Sequence, residues 1–205
     1  MKTRVKSYTD KQLLERVKGL PNFRKIPKQR WIIGVRSNED TYDTYDDKFY
    51  EFEGEKFIRV LSGTTNAGSG FIRGAFLKYN KKGVAVLKAD EWFYNVWSYG
   101  LHRGRMPALL QRGTRVKVYR DGNKDKKTEE LGEFEKGWFG INYHTNTYNF
   151  SPANIKVVKW LIGHWSAGCQ VINNRSEYKK QIGYYKKAHE EGTQIMVSFC
   201  LLNEF

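Results

Sequence analysis

The chain carries one cysteine on a stretch of small residues near its C-terminal end, Trp165-Ser166-Ala167-Gly168-Cys169-Gln170-Val171. A nucleophilic thiol needs open space for a substrate carbonyl and backbone N–H groups beside it, and the short side chains of Ala167 and Gly168 leave that space. A free cysteine is more often a small buried hydrophobic residue. The loop character of this stretch favours the nucleophile for Cys169, whereas Cys200 stands in the apolar run 196–202 and is interpreted as a packing residue.

A candidate base for this thiol lies upstream, in Gly140-Ile141-Asn142-Tyr143-His144-Thr145. A histidine beside a thiol can accept its proton and, as a cation, stabilise the thiolate that attacks, so we expect the pKa of the Cys169 thiol to lie below that of a free thiol. His164 competes for this role, because it stands five residues before Cys169 in the same segment. A base normally comes from a different strand, so we prefer His144 and expect His164 to face solvent or to support the site.

These two motifs resemble the catalytic domain of the L,D-transpeptidases, cysteine enzymes that rework peptidoglycan cross-links. In that family a strand ends in a histidine, and a later Ser/Thr-X-Gly-Cys motif carries the nucleophile; His144 and the segment 166–169 match these two features. The run 49–65 (FYEFEGEKFIRVLSGTT) is similar to the family's early hairpin, which ends in a Ser/Thr-Gly segment beside the active site. The matches occur in the family's order and span Phe49 to Val171.

The resemblance implies a role for each matched residue. Cys169 would be the nucleophile and His144 the base, with the backbone carbonyl of Thr145 as the acceptor that fixes the histidine tautomer. The backbone N–H groups of Gly168 and Cys169 would form the oxyanion hole, and Ser166 would orient the loop or the histidine. The residues implied to bind substrate are Ser62, Gly63, Thr64, Gln170 and Trp165.

The chain also departs from the family pattern. Ala167 stands where a histidine is common, and Gln170-Val171 replaces the usual apolar-arginine pair. The connection between His144 and Cys169 is longer than usual, and Asn66-Ala67-Gly68 stands where a Thr-Pro-X-Gly turn is typical. In this form the chain looks closest to bacteriophage-borne relatives, and its exact reaction stays open.

Composition and periodicity predict a β-rich α+β fold. Aromatic residues make up 15% of the 205 residues, and 19 glycines favour strands and turns over a helical bundle. The resemblance implies an L,D-transpeptidase-like mixed β-sandwich with peripheral helices. We predict two regions, a helix and basic loop over 1–30 and a catalytic domain over 31–205. The predicted elements are a helix over 10–18, strands over 31–35, 114–119, 136–143 and 193–202, a hairpin turning at Glu53-Gly54, a flexible loop over 64–70, a run over 71–79 beneath the site, and a helix over 176–191.

The charge of the chain bears on its partners. The chain has 36 Lys and Arg against 22 Asp and Glu, a formal net charge of +14, which attracts polyanions such as nucleic acid, anionic lipid or an anionic cell wall. Nucleic-acid binding is the main non-enzymatic alternative, but it is disfavoured because no RRM, helix-turn-helix or zinc-finger pattern appears. Peptidoglycan peptides and an anionic cell wall are the partners that we expect, with virion proteins as a further class.

The sequence predicts neither a metal nor a cofactor. No CxxC or HExxH spacing occurs, and the acidic stretch that starts at Asp121 lacks the glycine and glutamate that a calcium loop needs at its sixth and twelfth positions. Two cysteines imply no disulfide framework.

No apolar signal-peptide core follows Met1, and no run reaches the length of a membrane span. We therefore expect cytoplasmic synthesis, with the protein virion-associated or released at lysis. The expected function is cysteine-dependent cleavage of amide bonds in peptidoglycan stem peptides, as in a phage-encoded wall-degrading peptidase. L,D-transpeptidation and a non-catalytic wall-binding or structural virion protein of the same fold are the alternatives.

Overall fold

The computed structural model describes residues 5–39, 41–72, 81–123 and 125–205. Strands predominate over helices in these ranges. The elements in chain order are α1 (Asp10–Lys18), β1 (Arg30–Arg36), β2 (Asp47–Glu53), β3 (Lys56–Thr64), α2 (Ser69–Ile72), β4 (Val84–Leu87), β5 (Glu91–His102), β6 (Met106–Gln111), β7 (Val116–Asp121), β8 (Glu135–Gly137), β9 (Tyr143–Thr145), α3 (Pro152–Ile155), β10 (Gln170–Ile172), α4 (Arg175–Glu190) and β11 (Val197–Asn203). The prediction of a β-rich α+β class is confirmed.

The main sheet closes on itself, in the strand order β1-β11-β5-β6-β9-β10-β3-β2. Closure depends on β1, which pairs in parallel with β11 on one side and antiparallel with β2 on the other. The predicted hairpin is present as β2 and β3, and Gly54 takes the positive φ of 59° in its turn. The main sheet therefore forms a barrel, and the mixed β-sandwich that the resemblance implied is not confirmed.

Two apolar clusters hold the barrel together. Phe49, Trp97, Tyr143 and Phe199 belong to the larger cluster, and each is almost fully buried. The second cluster joins α1 to the outer face of β1, through Leu13 and Val17 of the helix. The helix begins as predicted, with Thr9 as its N-cap in a capping box completed by Gln12.

A small sheet of β4, β7 and β8 lies beside the barrel. Arg36, at the end of β1, links the two sheets although its side chain is buried. Its guanidinium donates to the Thr65 hydroxyl at 2.9 Å, to the Leu87 carbonyl at 2.7 Å and to Glu130 at 2.9 Å. A buried guanidinium requires such partners, so this network couples the end of β4 to the barrel.

Several predicted elements differ from the observed ones. The strand predicted over 136–143 is broken, because only Glu135–Gly137 and Tyr143–Thr145 pair with neighbours. The intervening backbone is fixed instead by the Gln111 side chain, which accepts from the N–H groups of Phe139 and Ile141, each at 3.1 Å. The loop predicted to be flexible over 64–70 is largely buried. The run 71–79 lies outside the described residues from position 73 onward.

None of the helices in the described ranges combines the length and apolarity that crossing a membrane requires.

Candidate functional site

The strands β9 and β10 place the predicted histidine and cysteine on neighbouring segments of the barrel. They are neighbours in the barrel and run parallel, with Val171 paired to His144. Cys169 immediately precedes β10 and packs, like Trp165, against the cluster that contains Val171. Register partners point to the same face of a sheet and alternate residues of a strand share a face, so we expect Cys169, two residues before Val171, on the same face as His144.

The thiol opens into a cavity of about 420 Å³, which we call the thiol cleft; its lining includes Cys169, His102, Arg103, Trp138, Phe139 and Trp165. Cys169 is half-buried, and its Sγ donates to the Gly140 carbonyl at 3.4 Å. Burial raises the pKa of the Cys169 thiol, although a backbone hydrogen bond from Asn142 and the charge of the Arg103 guanidinium act in the opposite direction. The resting sulfur is therefore a protonated thiol at neutral pH.

His144 is almost fully buried and holds a defined tautomer. Its Nδ1 lies 2.7 Å from the Thr145 carbonyl oxygen, the acceptor that the resemblance implied. A carbonyl can only accept, so Nδ1 carries the proton and Nε2 keeps its lone pair. Nε2 is buried without a hydrogen-bond partner among the described residues. Burial lowers the pKa of His144 to about 3, and the neighbouring His102 adds to this effect.

The pair therefore rests in its neutral form, as a thiol and an imidazole. The sequence led us to expect that a cationic histidine would stabilise the thiolate, and the pKa directions of Cys169 and His144 are opposite to that expectation. An imidazole with a free lone pair can still remove the thiol proton as the sulfur attacks a carbonyl.

Ser166 shapes the loop that presents the cysteine. Its hydroxyl donates to the Cys169 carbonyl at 2.8 Å and accepts the Gly168 N–H at 3.1 Å. Ser166 thus orients the loop, one of the two roles expected for it. The oxyanion hole expected from two backbone N–H groups needs correction, because the Gly168 N–H is already engaged by Ser166.

Gly168 is required by the tight approach of a neighbouring strand. Its φ is +130°, and a Cβ added there would lie 2.4 Å from the carbonyl oxygen of Ala85 in β4. Only glycine adopts this backbone conformation at little cost.

Most of the residues expected to bind substrate lie away from the thiol cleft. Ser62 lines a separate cavity near the start of α4. Gly63 and Thr64 are buried in the pairing of β3 with β10, and a Cβ on Gly63 would meet the Val171 carbonyl at 2.6 Å. Gln170 is fully buried, and its Nε2 donates to the Gly168 carbonyl at 3.3 Å. Gly63, Thr64 and Gln170 hold the strands in place and are not exposed to a substrate.

Trp165 is the exception among these residues. It lines the thiol cleft and also a wider cavity of about 660 Å³, which we call the aromatic cleft; the residues around it include Arg103, Tyr148, Trp160, His164 and Trp165. Tyr148 packs on Trp165 with ring centroids 5.3 Å apart, and Arg105 lies over Tyr148 at 4.8 Å. The two cavities share Arg103 and Trp165, so an extended ligand can occupy both.

His164 belongs to the aromatic cleft and is exposed. Its ring packs edge-on against Phe71, with centroids 5.7 Å apart. This position agrees with the expectation that it faces solvent. Cys200 is fully buried in β11, in agreement with a packing role.

Sequence reasoning undervalued His102. Its ring stacks on His144 with centroids 4.4 Å apart and 19° between the planes, and it lines the thiol cleft. The next residue, Arg103, has a positive φ of 50°, which is uncommon outside glycine and asparagine. The sequence signal for His102 was its place at a turn after an aromatic strand. That signal does not indicate which cavity the turn borders, so it could not identify His102 as a site residue.

Within the part of the chain that the structure describes, no group of three or more His, Cys, Asp and Glu side chains is placed to hold a metal ion.

No family model matches the chain, and no curated protein matches it. Among solved structures, it is similar to the helical cell shape determining protein Pgp2 from Campylobacter jejuni, with 12% sequence identity and a TM-score of 0.35. The match covers 96% of this chain and 56% of that one, so the chain spans little more than half the length of Pgp2.

Proposed function

We propose that this protein is a cysteine acyl-transfer enzyme that cleaves amide bonds in peptidoglycan stem peptides, with an L,D-transpeptidase-like catalytic domain. The observation that carries the proposal is the 2.7 Å contact between His144 Nδ1 and the Thr145 carbonyl oxygen, which fixes the tautomer. Its Nδ1–H is held by the Thr145 carbonyl, and its bare Nε2 lies on the same face of the strand pair as Cys169. A general base adjacent to a nucleophile is the arrangement that acyl transfer needs.

The reaction begins when the Cys169 sulfur attacks the amide carbonyl. The C–S bond forms, the carbonyl electron pair moves to oxygen, and His144 Nε2 takes the thiol proton. Collapse of this intermediate breaks the C–N bond, and His144 returns the proton to the leaving amine. The acyl group then remains on Cys169 as a thioester until a second nucleophile removes it.

Hydrolysis is the outcome that we favour for the thioester. Both cavities are open to solvent, so water has access to the cysteine. An amine acceptor in the aromatic cleft would instead make the enzyme a transpeptidase, and the acylation step is common to both. The net charge of +14 suits an anionic wall, and virion proteins remain a proposed class of partner.

The test is incubation of the protein with purified sacculi, with and without an added amine acceptor, followed by mass spectrometry of the muropeptides. New free stem peptides support hydrolysis, and amine-exchanged products support transpeptidation. Cys169→Ala should abolish both, whereas Cys200→Ala, the matched control at a buried thiol, should retain activity. If folded wild-type protein leaves several wall types unchanged, the catalytic proposal fails and a wall-binding or structural virion role takes its place.

A further inference from the structure

The tautomer of His102 is fixed by a chain of hydrogen bonds that begins in the barrel. The backbone N–H of Gln111 donates to Asn142 Oδ1 at 2.9 Å, so the amide nitrogen of Asn142 must face the opposite way. That nitrogen lies 3.1 Å from His102 Nδ1. An amide nitrogen can only donate, so Nδ1 must accept, and the ring proton of His102 is on Nε2.

The same contact keeps His102 neutral. A second proton on the ring would point at the NH₂ group of Asn142, with two donors opposed and no acceptor between them. Burial lowers the pKa of His102, and the charge of Arg103 lowers it further. His102 therefore presents a neutral N–H donor at physiological pH.

This donor belongs to the thiol cleft. His102 and Cys169 line the same cavity. Since the Nδ1 edge of the ring is held by Asn142, the edge that remains for a ligand carries Nε2–H. The stacked His144 ring, 4.4 Å away between centroids, supports the face of His102 and limits its rotation.

The site also lacks a donor that acyl transfer normally uses. The Gly168 N–H is engaged by the Ser166 hydroxyl at 3.1 Å, and a backbone hydrogen bond from Asn142 acts on the Cys169 sulfur itself. A tetrahedral intermediate is stabilised by donors aimed at its oxygen, usually two. A side-chain N–H that lines the cleft can supply the donor that Gly168 does not.

We propose that His102 is a catalytic residue, whose Nε2–H donates a hydrogen bond to the carbonyl oxygen of the bound acyl group and stabilises the charge that develops there as Cys169 attacks. The inference rests on the proposed acyl-transfer function. His102 transfers no proton in this step, because the thiol proton goes to His144. A neutral imidazole is suited to this role, since its N–H is retained throughout the reaction.

Two reagents separate this role from an effect on the thiol itself. Acylation of Cys169 by p-nitrophenyl acetate passes through an oxyanion and releases p-nitrophenolate, which is followed by absorbance. Alkylation by iodoacetamide displaces iodide at a saturated carbon and forms no oxyanion. Mass spectrometry assigns each modification to Cys169, with Cys169→Ala as the blank.

His102→Phe keeps a stacked ring and removes the donor, and His102→Gln restores an N–H. We expect the Phe variant to lose about 10²-fold in acylation rate, the usual effect of removing one oxyanion donor, with the alkylation rate largely unchanged. The Gln variant should recover much of the loss. If the Phe variant does not fold, as judged by circular dichroism, His102→Leu takes its place.

The proposal is overturned if the donor-free variant is acylated as fast as the wild type. It is also overturned if both reactions slow equally, since His102 then acts on the thiol, or if wild-type Cys169 is not acylated at all. The ester assay needs no wall substrate, so it separates the two proposals. If the protein leaves sacculi unchanged but its acylation by the ester still depends on His102, the proposed substrate is wrong and the role of His102 stands.

Discussion

Replacing Gly168 by alanine tests whether the cysteine loop depends on its backbone conformation. The φ of +130° is one that alanine adopts only under strain, at about 1–3 kcal/mol. The new Cβ would also lie 2.4 Å from the Ala85 carbonyl oxygen, about 1 Å short of ordinary contact. The loop must move by a similar distance, and a displacement of about 1 Å at a reacting group can cost about 10²-fold in rate.

Thermal unfolding and p-nitrophenyl acetate acylation measure the two effects of Gly168→Ala. A loss of 1–3 kcal/mol corresponds to a melting temperature lower by about 2–12 °C in a chain of this size. Gly132→Ala is the matched control, because Gly132 has a φ of +65° but no atom of the described residues within 4 Å of its added Cβ. The control should show a modest strain penalty and normal acylation. Wild-type stability and rate in Gly168→Ala would refute the reasoning.

Three further predictions concern the thiol, the base and the fold. Because the pKa of Cys169 is raised, the rate of its alkylation by iodoacetamide should increase about tenfold per pH unit between pH 6 and 9. It should also exceed the rate at buried Cys200 throughout this range. A plateau of the Cys169 rate near neutral pH would indicate an ion pair instead. His144→Gln should slow acylation by about 10²–10⁴-fold and His164→Gln only slightly, as read in the same assay; the reverse result would reassign the base. Arg36→Met should lower the free energy of unfolding by about 3–5 kcal/mol in urea titration, while exposed Arg24→Met should change it by less than about 0.5 kcal/mol; equal values would show that the buried network is dispensable.

Local patterns in the sequence predicted the elements that depend on neighbouring residues. Thr9-Asp10 marks the start of α1, and Glu53-Gly54 marks the turn between β2 and β3. Barrel closure was not predictable in this way, because β1 and β11 stand at opposite ends of the chain and pair through tertiary packing. The break in the strand before His144 has the same origin, since the Gln111 side chain takes the place of a neighbouring strand.

The candidate site also combines features that neighbouring residues determine with features that depend on residues distant in the chain. The spacing of small residues around Cys169 and the Thr145 carbonyl after His144 are local features, and both were anticipated. The direction of the thiol pKa depends on burial by residues far along the chain, so the motif alone suggested the wrong direction. His102 joins the site because Asn142 and Gln111 orient it, and no local pattern encodes that relation.

The parallel pairing of β9 and β10 has an evolutionary consequence. Parallel strands cannot be joined by a tight turn, so the segment between His144 and Cys169 must leave the barrel and return. This connecting segment contains Tyr148, Trp160 and Trp165, which border the aromatic cleft. Its length and composition can change while the ladder keeps the two reactive side chains in register. Specificity can therefore diversify by insertion or exchange within the exposed residues 156–160, with little effect on the chemistry at the cysteine.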